Sequence, residues 1–132
     1  MKINAPFIEK LLAAFIREEL AKFQYRKGII GLSGGLDSSV CAFLAVQALG
    51  PRNVIGLILP YQDTFSEDTK DAQSIARRLK IRSRVIDISP MVDAYFSRYP
   101  TDDRVRLGNK MARERMSILY DFSAREKALI LG

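Results

Sequence analysis

Gly28-Ile29-Ile30-Gly31-Leu32-Ser33-Gly34-Gly35-Leu36-Asp37-Ser38-Ser39-Val40-Cys41-Ala42-Phe43-Leu44-Ala45 joins two apolar segments through a short polar turn. Residues 28 to 32 read as a short buried strand. Ser33-Gly34-Gly35-Leu36-Asp37-Ser38 reads as a tight turn, and residues 37 to 49 as a helix stopped by Gly50-Pro51. A strand, a Gly-Gly turn and a helix start together cradle phosphate: glycines admit φ > 0 and bring backbone N–H groups close to an anion, and a helix N-terminus offers unpaired N–H groups and partial positive charge. Ser33 and Ser38 add hydroxyl donors. Asp37 would repel phosphate unless a cation lay between them, and its oxygens suit Mg²⁺. No Lys follows Gly35, so the Walker loop does not fit; Gly31-Leu32-Ser33-Gly34-Gly35-Leu36 does not match the dinucleotide fingerprint either. The blander alternative is a plain turn before a capped helix, with Asp37 or Ser38 in its first turn.

Working outward, Ile8, Leu11, Leu12, Phe15, Leu20 and Phe23 give helical spacing across residues 4 to 24, with Asn4 as cap and Pro6 in the first turn. Val54 to Leu59 is a second apolar strand. Ser66 caps a helix with Glu67 and Asp68 in its first turn and a stripe of Ala72, Ile75, Ala76 and Leu79. Arg84 to Ile88 reads as a third strand, residues 90 to 98 as a short helix, Pro100 to about residue 124 as a long one, and Ala128 to Leu131 as a fourth strand. Apolar strands alternating with helices predict an α/β fold, a Rossmann-like parallel sheet covered on both faces. Ligands of such sheets bind beyond the carboxyl ends of the strands, where the loop after residue 32, the segment Pro60-Tyr61-Gln62-Asp63-Thr64 and whatever follows Leu131 would lie.

The 132 residues are expected to form one domain, with 48% hydrophobic content to support its core. No stretch suits a membrane span, and Met1 to Pro6 lacks an apolar signal core. The single cysteine, Cys41, fits a reducing cytosol and is expected as a small buried core residue in its apolar helix; the chain is therefore expected to be cytoplasmic. With no histidine, His-based catalysis and His metal sites are excluded. The net charge of +6 favours anionic partners, but Arg77 to Arg84 reads as a solvated helix end without base-stacking aromatics, so nucleic acid is disfavoured.

Helical spacing places Asn109, Arg113, Met116 and Tyr120 on one stripe, able to grip a phosphorylated or carboxylate ligand. The neighbouring stripe of Met111, Arg115, Ile118 and Phe122 is expected to face the core or a subunit partner, with Arg115 paired to Glu114 or Asp121. An ordinary amphipathic helix is the plain alternative.

The Ser-Gly-Gly-x-Asp-Ser loop resembles the pyrophosphate loop of the N-type ATP pyrophosphatases. Gly108-Asn109, Ala112-Arg113, Arg115-Met116 and Tyr120, with Leu59-Pro60-Tyr61 and Asp71-Ala72, are similar to the ammonia-dependent NAD synthetases within that superfamily. The resemblance covers essentially the whole chain. It implies that Gly31, Leu32, Ser33, Gly34, Gly35, Leu36, Asp37 and Ser38 bind ATP, that Asp37 holds Mg²⁺, and that Arg113, Asn109 and Tyr120 contact deamido-NAD. The implied reaction is attack of the nicotinate carboxylate on the α-phosphate of ATP, then of ammonia on the acyl-adenylate, giving NAD, AMP and pyrophosphate. No general base is assigned.

The resemblance further implies a homodimer, with Met111, Ile118 and Phe122 as candidate interface. It implies no glutamine use within this chain, and a family pattern continuing past Gly132 with a Thr for ATP, a Glu as second metal ligand, and Lys and Asp substrate contacts. The chain is accordingly expected to be the N-terminal part of a family domain, incomplete at its C-terminus, with activity a property of the longer protein. Two alternatives stay open: another ATP pyrophosphatase (GMP synthetase-like or tRNA-modifying), or a nucleotide-binding module without catalysis.

Overall fold

A computed structural model describes residues 4–131; Met1 to Ile3, where the signal reading begins, and Gly132, which follows the fourth strand, lie outside them. Helices α1, α3 and α5 start where the chain supplies a side-chain cap. The Asn4 side chain accepts from the Phe7 N–H, and Pro6 sits in the first turn of α1 (Ala5–Lys22). β1 (Lys27–Gly31) leads into α2 (Leu36–Leu49), which stops at Gly50 with φ 83°. A 3₁₀ turn over Pro51–Asn53 precedes β2 (Val54–Ile58). Ser66 Oγ accepts from the Thr69 N–H to open α3 (Glu67–Leu79), and a left-handed Lys80 closes it. β3 (Arg82–Val85), α4 (Ser89–Arg98), α5 (Arg104–Glu126, capped by Asp103) and β4 (Ala128–Ile130) complete the order.

The four strands form one parallel sheet, β3-β2-β1-β4, with Ile29 beside both Ile55 and Ile130. The order reverses at β1. Alternate residues feed two cores on opposite faces. Ile29, Ile55, Leu57 and Leu59 pack with Val92, Leu119 and Phe122 from α4 and α5. Ile30, Leu32, Val54 and Ile58 pack with Ala42, Ala45, Ala72 and Ala76 from α2 and α3. This is the expected α/β, Rossmann-like architecture with helices on both faces.

Two local expectations are corrected, and two helix faces are placed. β3 starts at Arg82 rather than Arg84 and is largely exposed, because an edge strand need not be apolar; Ile86 and Ile88 still donate to Ile58 and Pro60 carbonyls at 2.8 and 2.9 Å. Cys41 is exposed: α2 turns Ala42, Ala45 and Ala48 to the sheet, one residue off the cysteine. α1 packs on α2, yet leaves Leu11, Phe15 and Phe23 at 59%, 58% and 61% exposure. Phe122 is buried in the α4–α5 core, with Met111 and Ile118 partly buried against it, so of the two roles expected for this stripe the structure shows the core-facing one.

Leu57 is fully buried, and its carbonyl accepts the Leu32 N–H at 2.8 Å. Leu57→Ala should cost about 2–5 kcal/mol in denaturant unfolding. A loss under about 1 kcal/mol would show that this core has no tight packing at β2.

Candidate active site

β1 ends at Gly31, and the Leu32 N–H extends the β1–β2 pairing one step beyond the strand. Gly34 then takes φ 82°. A Cβ there would lie 2.5 Å from the Asp68 carbonyl oxygen, so the turn is pressed against the first turn of α3 as well as left-handed. Gly35, with φ −81° and ψ 167°, is the N-cap of α2 and supplies no side-chain cap. The N–H groups of Leu36, Asp37 and Ser38 therefore have no partner inside the helix. Hydroxyls hold the turn instead. Ser38 Oγ accepts from the Ser33 N–H and donates to the Gly35 carbonyl, each at 3.2 Å, while Ser39 Oγ donates to the same carbonyl at 2.7 Å. An uncapped helix start behind such a turn has the N–H groups that an anion could use.

A cavity of about 550 Å³ lies at the carboxyl ends of β1 and β2. Its floor is apolar (Leu57, Leu59, Leu119) and its rim polar (Ser33, Asp63, Asp68, Thr69). A volume of this order suits a nucleotide-sized ligand. Of the loop residues, Gly31, Leu32 and Ser33 line it, whereas Gly34, Gly35, Leu36, Asp37 and Ser38 lie outside its wall; Asp37 is exposed in the first turn of α2. Among the described residues no cluster of three or more His, Cys, Asp or Glu could hold a metal, so Asp37 offers a single carboxylate.

α5 turns Arg115 and Leu119 toward the cavity. Asn109, Arg113 and Tyr120 are exposed elsewhere on the helix and do not line it; Arg113 is two residues, about 200° of helical turn, from Arg115. Arg115 does not pair with Glu114 or Asp121 as expected. Glu114 is engaged by Lys110 at 3.0 Å, and Arg115 Nε donates to the Leu59 carbonyl at 2.9 Å. Sequence spacing misses Arg115, Asp68 and Thr69 because they come from elements that meet only through the sheet.

A second polar network pins the segment after β2. Tyr61 donates its hydroxyl to Asp93 at 2.5 Å, and Gln62, at φ 65°, donates its N–H to Ser89 Oγ at 2.6 Å. Ser89 Oγ and its N–H both donate to Asp87, at 2.6 and 2.9 Å. The Ser89 bonds hold the Asp87 carboxyl below its ordinary range, and the bond to Asp93 raises the Tyr61 phenol.

Gly34→Ala should weaken the fold by about 1–3 kcal/mol through the left-handed φ and the Asp68 contact. An unchanged denaturation midpoint would mean that the turn relaxes freely. Because the folded Asp87 titrates below its ordinary 3.8, its contribution to stability is full above that pH and is lost as pH falls through the folded value. In an NMR titration Ser89→Ala should move the Asp87 midpoint up toward 3.8, and an unmoved midpoint would remove Ser89 as the cause.

Comparison with known proteins places this geometry. The family model described as NAD synthase matches residues 8–132. The NH3-dependent NAD+ synthetase of Chlorobium phaeovibrioides is 44% identical over all of this chain and 48% of its own length, and that of Fusobacterium nucleatum 41% identical over all of this chain and 51% of its own. Among solved structures, the NH3-dependent NAD synthetase of Campylobacter jejuni, in complex with nitrate, superposes with a TM-score of 0.92 at 33% identity, covering 98% of this chain and 56% of that one. The NMN synthetase of Francisella tularensis superposes with a TM-score of 0.89 at 29% identity, covering 98% and 54%. The chain spans about half the length of the curated relatives it matches. Strand order, phosphate-type loop and family match agree: the chain belongs to the NAD synthase family.

Proposed function

We propose that this chain is the ATP-pyrophosphatase portion of an ammonia-dependent NAD synthetase, a single domain over residues 1–132 whose family pattern continues beyond it. The observation that carries this reading is the uncapped start of α2 behind a left-handed Gly34, beside a nucleotide-sized cavity at the carboxyl ends of β1 and β2. ATP would place its phosphates against Gly31 to Ser38 and its remaining parts over the apolar floor. The nicotinate carboxylate of deamido-NAD would attack the α-phosphate, forming the acyl-adenylate and releasing pyrophosphate. Ammonia would then attack the acyl carbon, giving NAD and AMP. The residues fit this chemistry, which needs positioning and electrostatic stabilisation rather than a covalent nucleophile.

Mg²⁺ fits here through one carboxylate, since that ion keeps its waters and takes phosphate oxygens as further ligands. Asp37 would hold it, and the ion would supply charge neutralisation for the departing pyrophosphate. Asp37 beside the uncapped helix end would at the same time orient the phosphates.

The outward stripe of α5 (Asn109, Arg113, Met116 and Tyr120) is exposed, which keeps it available to deamido-NAD and to a second copy of the chain. The fold shared with an NMN synthetase makes the mononucleotide acid the second candidate substrate.

The intact gene product, incubated with ATP, Mg²⁺, ammonia and deamido-NAD, should form NAD and AMP, and faster than it amidates the mononucleotide acid. ADP as product would reject the pyrophosphatase reading. Asp37→Ala should lower Mg²⁺-dependent turnover about 100-fold or more with an unchanged melting temperature. Normal turnover would remove Asp37 from the metal site.

A further inference from the structure

The phosphate-type loop contains no basic residue: Gly31 to Ser38 offers amides, hydroxyls and one carboxylate. The negatively charged side chains in the cavity lining, Asp63 and Asp68, add no cation either. An anion entering this cavity meets only one cationic side chain in the lining, Arg115. That side chain is part-buried and makes no ion pair among the described residues. A charge withdrawn from water without a counter-ion is costly unless a ligand supplies the missing partner.

Its anchoring supports such a role. Arg115 Nε donates to the Leu59 carbonyl at 2.9 Å, one residue past β2, which fixes the plane of the guanidinium. The Leu59 bond uses one of five N–H donors, and the rest form the planar fork that matches a phosphate or carboxylate. Glu114, the nearest acidic residue along the chain, is drawn off by Lys110 on the preceding turn of α5.

We propose that Arg115 is the oxyanion-receiving residue of the cavity, standing in from α5 for the basic residue the loop lacks. Taking the oxyanion as an ATP phosphate rests on the function proposed above. The shared chemistry, an oxyanion on the fork, would equally serve the carboxylate of the acid substrate.

Calorimetric titration of the chain with ATP, inorganic pyrophosphate, nicotinate and adenosine separates these cases without requiring turnover. The wild-type chain should bind ATP, and Arg115→Met should weaken it about 10- to 100-fold while adenosine stays within about twofold. Arg115→Lys should recover part of the loss, because it keeps the charge but not the fork. Loss shared by ATP and pyrophosphate identifies a phosphate; loss confined to nicotinate identifies a carboxylate. Equal weakening of adenosine, no weakening of any anion, or no anion binding by the wild-type chain overturns the proposal. ADP formation by the intact gene product would instead overturn the synthetase reading and leave the Arg115 result standing.

Discussion

The site depends on one backbone contact, that between Gly34 and the Asp68 carbonyl. The contact leaves no room for a Cβ and sets the left-handed turn that lets α2 start without a side-chain cap. It also ties the start of α3 to the end of β1, so two helix N-termini and two strand ends meet at one cavity. Serine hydroxyls within the turn replace the missing cap by bonding to the turn's own backbone. The first N–H groups of α2 have no partner within the helix.

The electrostatics of the cavity follow from which elements reach it. α2 and α3 contribute partial positive charge through their N-termini, while the rim side chains Asp63 and Asp68 are acidic. The balancing full charge arrives from the opposite face of the sheet, where α5 packs through Leu119 and Phe122 and passes Arg115 over the carboxyl edge of β2. The network Tyr61–Asp93 and Gln62–Ser89–Asp87 holds the neighbouring segment to α4. The cavity floor and one wall are thereby fastened to the same core.

Two surfaces remain apolar or mixed outside this arrangement. α1 exposes Phe7, Leu11 and Phe15, and α5 exposes Met116 and Tyr120. No helix among the described residues is long and apolar enough to cross a membrane.

Most of the architecture was legible in the chain itself. The caps Asn4 and Ser66, the stop at Gly50, and the apolar runs of β1 and β2 are local signals, and each led to the element observed. The edge strand β3 was displaced because burial, which the apolar pattern reports, is weak at an edge. Cys41 was misplaced because α2 is apolar around most of its circumference, so spacing does not reveal the face turned to the sheet. The phosphate-type loop was readable because its residues are contiguous and its turn demands glycine. Arg115 was not, since its partner is a main-chain carbonyl 56 residues away, and no side-chain pattern records that contact. By itself the sequence determined the strand–turn–helix; only the tertiary structure decided which arginine of α5 faces the cavity, because packing of Leu119 and Phe122 sets that helix's rotation.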